Sequence, residues 1–283
     1  MKTNHVLDLL MSAAHQAAGN PLRNGQLLHL PAEGELMISG DLHNHRRNFE
    51  RIVALAALDA FGQRHVVLQE LIHGGALGAQ GEDNSLDLVL DAIAWSMEFP
   101  GRVHFILSNH DWAQIFGMPI LKDGYDLTER FNRALAVNFG GRAAEVARAF
   151  RQFVLSLPLA CITINGILVS HSLPGPADMA HFDASILTRP LVPGDYARMA
   201  SVYRMIWGRH QSAAVVQELS RVWFSDIFIC GHQPREEGFG EIAERIFLID
   251  SSHNHGAVVA IDLARQYTVP GLRQQVISLA AVA

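Results

Sequence analysis

The sequence predicts an α/β protein, and three observations carry that reading. Short apolar runs of strand length alternate with longer segments whose apolar residues recur at helical spacing. Hydrophobic residues make up 49% of the 283 and charged residues only 18%, which suits a sizeable core and excludes a disordered chain. Five of the apolar runs end in polar side chains able to hold a metal: Asp41 and His43, Glu70, Asn109, His171 and His232. In α/β sheets, ligands bind outside the carboxyl ends of strands, where residues far apart in sequence converge.

The elements follow in order. Residues 5–18 read as a helix stopped by Gly19, Asn20 and Pro21. Residues 26–29 and 36–39 are short apolar runs around Pro31 to Gly34, a hairpin signal, and the second run leads into Asp41. Residues 48–61 have helical periodicity, 65–69 form a short buried strand, and Glu70 follows it. Residues 74–81 are a Gly-rich loop, after which Asn84 and Ser85 offer caps for a helix reaching about Met97. Residues 103–107 are a strand running into Ser108, Asn109, His110 and Asp111. Residues 127–157 are mostly helical, with a break at Gly140 and Gly141. Residues 161–164 and 167–170 form a hairpin around Asn165-Gly166, the best short turn signal in the chain. Helices are expected over 196–208 and 211–222, and strands over 227–230, 247–250 and 257–262. The whole reads as a single domain, 1–283, with a helical insertion at about 120–155.

The net charge of -6 implies no general attraction to nucleic acid or to an anionic membrane. No secretory leader and no membrane-length apolar stretch is visible, so a cytoplasmic location is expected. Cys161 and Cys230 lie in apolar runs and read as buried thiols. The 15 histidines are many, and several fall at strand ends. Carboxylate, imidazole and amide oxygen together suit Mn, Fe or Zn, and no thiolate belongs to the set.

The same residues carry a family resemblance. Gly40-Asp41-Leu42-His43-Asn44, Ser108-Asn109-His110-Asp111, Val169-Ser170-His171-Ser172 and Cys230-Gly231-His232-Gln233 stand in an order that resembles the motifs of the calcineurin-like metallophosphoesterases. Pro234 stands where many members have a second His, so the chain looks closest to the phosphoprotein phosphatase branch. Residues 205–209, which contain Trp207, and 250–262 resemble that branch's Trp-containing helix end and closing hairpin. The resemblance implies a four-layer αββα sandwich of two mixed β-sheets flanked by helices. It implies two divalent ions: Asp41, His43 and Glu70 at one, Glu70, Asn109, His171 and His232 at the other, with Glu70 as the bridge. The implied reaction is hydrolysis of a phosphate ester by in-line attack of a bridging hydroxide. The substrate would be a phosphorylated small molecule or a phosphoprotein. His110 would be the general acid, and Arg209 or Arg47 would meet the phosphate. His73, His253 and His255 are expected to line the site.

The second motif departs from the pattern. Glu70 replaces the bridging Asp, His73 the Asp that would orient the general acid, and Gly74 the phosphate-binding Arg. Glu82 or Asp83 on the Gly-rich loop could supply the lost acid. Alternatives are a hydrolase of phosphodiesters or nucleotide polyphosphates, and a metal-binding regulatory protein of the same fold with weak activity.

Overall fold

The computed structural model describes residues 2–282. The chain begins with α1 (Thr3–Ala18), β1 (Arg23–Asn24), β2 (Leu27–His29) and β3 (Glu35–Asp41). Two crossovers follow: α2 (Arg46–Ala56) into β4 (Arg64–Gln69), then α3 (Leu86–Glu98) into β5 (Val103–Ile106). Next come α4 (Asn109–Phe116), a small hairpin of β6 (Leu121–Lys122) and β7 (Tyr125–Asp126), α5 (Leu127–Phe139) and α6 (Ala143–Ser156). The second half runs β8 (Ala160–Ile162), β9 (Ile167–Ser170), α7 (Ser201–Trp207), α8 (Ala213–Trp223) and β10 (Ile227–Cys230). It closes with β11 (Phe239–Ile242), β12 (Ile246–Ile249), β13 (Ala257–Asp262), α9 (Val269–Leu272) and β14 (Val276–Ser278).

Apart from the separate β6-β7 hairpin, these strands form two mixed sheets packed face to face with helices outside, a four-layer αββα sandwich. One sheet has the order β14-β13-β3-β4-β5, the other β1-β2-β8-β9-β10-β12-β11. β3, β4 and β5 are parallel, as are β9, β10 and β12. Alternation along the strands sets the layers. Leu36, Ile38, Val67 and Ile106 of one sheet meet Ile167, Val169, Ile229 and Phe247 of the other in a shared apolar core. The intervening residues Met37, Val66, Leu68, Phe105, Leu168 and Phe228 pack outward in the larger core that includes the helices. Burial on both faces explains why these strands read as continuous apolar runs. No helix among the described residues is long and apolar enough to cross a membrane.

Three local expectations need correction. Residues 26–29 and 36–39 are not hairpin partners: β2 pairs with β8 and β3 with β4 and β13, so the segment between them crosses from one sheet to the other. The stretch from Asp250 to Asp262 is likewise a passage between sheets, because β12 and β13 lie in different ones. The helix expected over 48–61 stops at Ala56, where Ala57 turns left-handed (φ 41°). The hairpin at Asn165-Gly166 forms as expected, with Ile162 opposite Leu168. So does the helix break at Gly140, a short 3-10 turn between α5 and α6.

Candidate metal centre

The carboxyl ends of β3, β4, β5, β9 and β10 lie along one edge of the sandwich, where a parallel bridge between Asp41 and Asp250 joins the two sheets. The structure brings together the side chains that leave those ends. His43 Nε2 lies 3.4 Å from Glu70 Oε2, and His171 Nε2 lies 3.6 Å from Glu70 Oε1. Asn109 Oδ1 is 2.6 Å from His171 Nε2 and 2.9 Å from His232 Nδ1. Asp41 Oδ1 is 3.6 Å from His171 Nδ1. Two three-residue clusters have metal-ligand spacing, His43 with Glu70 and His110, and Asp41 with Glu70 and His171. Both share Glu70. Asp41 thus groups with His171, across the bridge from His43, a different partition from the one the motif order implies.

The backbone pays for this convergence in conformation. His43 (φ 42°), Asn44 (55°), Glu70 (47°), His73 (67°) and His232 (64°) all take left-handed conformations that disfavour side chains. Each costs on the order of 1 kcal/mol or more, and such residues cluster at functional sites. Asn109 and His110 are aimed differently. Ser108 and Asp111 form a capping box at the start of α4, which places both residues on its first turn over the site. The His110 N–H donates to Glu70 Oε1 at 3.1 Å. At the β10 end, Gly231 permits a close approach: a Cβ there would stand 2.2 Å from Asp41 Oδ1. Its absence lets the His232 N–H reach both Asp41 oxygens at 2.9 and 3.0 Å.

The hydrogen bonds around the site fix two imidazole tautomers. His43 Nδ1 lies 3.1 Å from the Ile72 carbonyl, which can only accept, so it carries the proton. His171 Nδ1 donates to Gln69 Oε1 at 2.9 Å, while Gln69 Nε2 donates to the Ser39 carbonyl. Both residues therefore present a bare Nε2 to Glu70, one to each carboxylate oxygen. This is the outer-shell support that metal-binding histidines ordinarily have. Burial acts on the charges. It raises Asp41 well above the carboxylate range, with Glu70 adding repulsion, and raises Glu70 to about 8. It holds His171 well below the usual imidazole value and His232 at about 3, helped at His232 by the Arg209 charge. Two buried carboxyl groups, the neutral imidazoles of His171 and His232 and an amide oxygen thus face one another without a permanent positive charge among them. The lone pairs of His171 Nε2 and Asn109 Oδ1 meet at 2.6 Å. The donor set fits divalent cations, which would neutralise the acids and separate the lone pairs.

Other anticipated residues fall around this core. His73 is buried against Phe131, and its Nδ1 lies 3.1 Å from His110 Nδ1. Gly74 explains the missing Arg: a Cβ there would stand 2.2 Å from the His43 carbonyl oxygen, so no side chain fits. Arg209 follows α7, where Trp207 stands edge-on to His232, and its charge is felt at His171 and His232. Arg47 is exposed on the first turn of α2. His253 and His255 line a cleft of about 1020 Å³ beside His43, with Lys122, Arg235, Glu236 and Glu237. Glu82 and Asp83 are not part of the cluster. Glu82 accepts the Gln80 N–H and Asp83 the Ser85 N–H, so both organise the Gly-rich loop. Sequence reasoning missed Gln69 and Gln114. Gln69 immediately precedes Glu70, and Gln114 stands four residues after His110 on one helix face; spacing was the only available signal.

No family model and no curated protein sequence matches the chain. Solved structures do. A protein serine/threonine phosphatase from Saccharomyces cerevisiae with similarity to human phosphatase PP5 superposes with a TM-score of 0.70 at 14% identity, covering 98% of this chain and 89% of its own. A cold-active protein-tyrosine phosphatase from a psychrophilic Shewanella gives 0.60 at 12% identity, with 89% and 82% covered. The chain shares its fold with these two phosphatases. At these identities the likeness concerns the fold alone, and the strand-end cluster is this chain's own chemistry.

Proposed function

We propose that the chain is a dinuclear metal-dependent phosphoesterase that hydrolyses a phosphate ester. One observation carries the reading: Glu70 directs one carboxylate oxygen at His43 and the other at His171, the arrangement of an acid shared between two ions. His43 lies on one side of it, and Asp41, Asn109, His171 and His232 lie on the other. Bound Mn, Fe or Zn ions would activate the attacking water and neutralise phosphoryl charge for in-line displacement.

The chain's own residues supply the rest. His43, His171, Gln69 and the strained strand ends hold the donors in place before substrate arrives, so little reorganisation is needed. His110, over the cluster on the first turn of α4, relays a proton to the leaving alcohol, its imidazole resting neutral because burial holds it well below the usual value. Arg209 supplies the positive charge toward the phosphate that Gly74 cannot carry. The wide cleft beside His43 receives the leaving group, and its size suits a bulky phosphorylated small molecule or a phosphoprotein segment.

The test compares leaving groups in the manganese-loaded protein. His110→Ala is expected to lower turnover of an alkyl phosphate by about 100-fold or more, and that of p-nitrophenyl phosphate far less, because an activated phenolate needs little protonation. Equal losses on both would remove His110 as the acid. No hydrolysis of monoesters, diesters or nucleotide polyphosphates by the metal-loaded protein would leave a metal-binding regulatory protein instead.

A further inference from the structure

The place of the missing Asp is taken by a chain of neutral groups. Asn132 Oδ1 lies 2.8 Å from Gln114 Nε2, Gln114 Oε1 lies 2.9 Å from His73 Nε2, and His73 Nδ1 lies 3.1 Å from His110 Nδ1. We infer that Asn132, Gln114 and His73 form a hydrogen-bond relay that fixes the tautomer of His110, locking a proton on its Nδ1 and leaving Nε2 as the atom that holds or releases the catalytic proton.

Each link dictates the next. An amide nitrogen only donates and an amide oxygen only accepts. With its NH2 committed to Asn132, Gln114 turns its oxygen to His73, and His73 Nε2 must carry a proton. A neutral imidazole has one N–H, so His73 Nδ1 is then a bare acceptor. The short contact to His110 is a hydrogen bond only if His110 Nδ1 donates. Neutrality of His73 follows from its surroundings: it is 1% exposed and stands edge-on to Phe131, 5.9 Å away, with no carboxylate among its hydrogen-bond partners.

The backbone is built to hold this ring. His73 adopts φ 67°, and its N–H donates to Ser85 Oγ at 3.2 Å. Ser85 occupies the N-cap position of α3 yet makes no side-chain cap bond there. A cap of this kind contributes about 1 kcal/mol to a helix. Here the hydroxyl anchors His73 instead. His110 and Gln114, at i and i+4 on α4, present the two partners of the His73 ring on one helix face. A carboxylate in the place of His73 would hold the imidazole by charge as well as direction. The relay supplies direction without charge, so His73 and Gln114 are positioning residues.

The functional meaning rests on His110 acting as the acid, but the relay is tested without turnover. Long-range proton–nitrogen NMR of protein labelled with 15N-histidine reads each ring's tautomer. His73 and His110 signals are assigned by their loss in His73→Phe and His110→Ala. Expected in the metal-free and the zinc-loaded protein are a proton on Nε2 of His73 and on Nδ1 of His110. A proton on Nδ1 of His73 overturns the relay, whatever the activity. A variant of similar volume adds a second reading. Gln114→Met removes the acceptor; tautomer mixing and a loss of about tenfold on the alkyl ester are expected, with unchanged metal content and little change on p-nitrophenyl phosphate. Identical spectra in Gln114→Met and the parent protein would also overturn the relay.

Discussion

Replacing Glu70 by Gln should stabilise the metal-free protein while destroying its second metal site. The Glu70 carboxyl is 2% exposed, and burial raises it from 4.5 to about 8. Because the folded value lies above the unfolded one, the folded state binds the extra proton between the two. The stability this contributes is fully present below pH 4.5 and is lost as pH rises through about 8. At pH 7 the cost to the folded state is about 3 kcal/mol, from roughly 1.4 kcal/mol for each pH unit above 4.5. Gln keeps the shape. Its oxygen can still accept the His110 N–H, and its NH2 can donate to the bare His43 Nε2. Glu70→Gln should therefore raise the melting temperature by roughly 6 °C at pH 7, at about 2 °C per kcal/mol for a chain of this size. At pH 5 the gain should fall below about 1 kcal/mol. Calorimetric manganese titration of the same variant should show the second ion lost. Scanning calorimetry with chelator at both pH values decides the first half. A variant no more stable at pH 7, or equally stabilised at pH 5, would refute the reasoning, as would two tightly held ions.

Two further outcomes follow from the structure. Arg209→Ala should reduce kcat/KM on the order of 100-fold, as loss of a transition-state donor does, while Arg47→Ala on the exposed turn of α2 should change it little; the reverse order would move the phosphate contact to Arg47. Away from the site, His104 hydrogen-bonds His65 at 3.0 Å, and burial lowers it to about 3, with His65 lowered too by burial and by Arg102. A buried neutral His contributes stability present above its unfolded value of 6.5 and lost as pH falls toward 3, so His104→Gln should flatten the acid side of the stability curve by up to about 1.4 kcal/mol per pH unit; urea unfolding at pH 6 and pH 4 measures it, and parallel curves would show the pair does not titrate.

The sequence was legible where the physics is local. Strands buried on both faces appear as apolar runs, so β3, β4, β5, β9 and β10 and the polar residues leaving them could be located. Asn165-Gly166 announced its hairpin because few dipeptides take that turn so readily. Sheet membership was not local. β2 and β3 look like hairpin partners across Pro31 to Gly34, but β2 is paired by β8, more than a hundred residues away, and β3 by β13. The site divides the same way. Residues at strand ends were visible, whereas the reason for Gly74 lies in the His43 backbone, which sequence does not place beside it. Gln69 and Gln114 act through single hydrogen bonds to histidines 102 and 41 residues distant, and nothing about a glutamine marks such a partner.

Anomalous diffraction from manganese-soaked crystals shows whether Glu70 is shared between two ions. Two peaks are expected, roughly 3.5–4 Å apart. One should lie beside His43 and the other beside Asn109, His171 and His232, with a Glu70 oxygen on each. A single peak, or two peaks neither of which touches Glu70, would contradict this sharing.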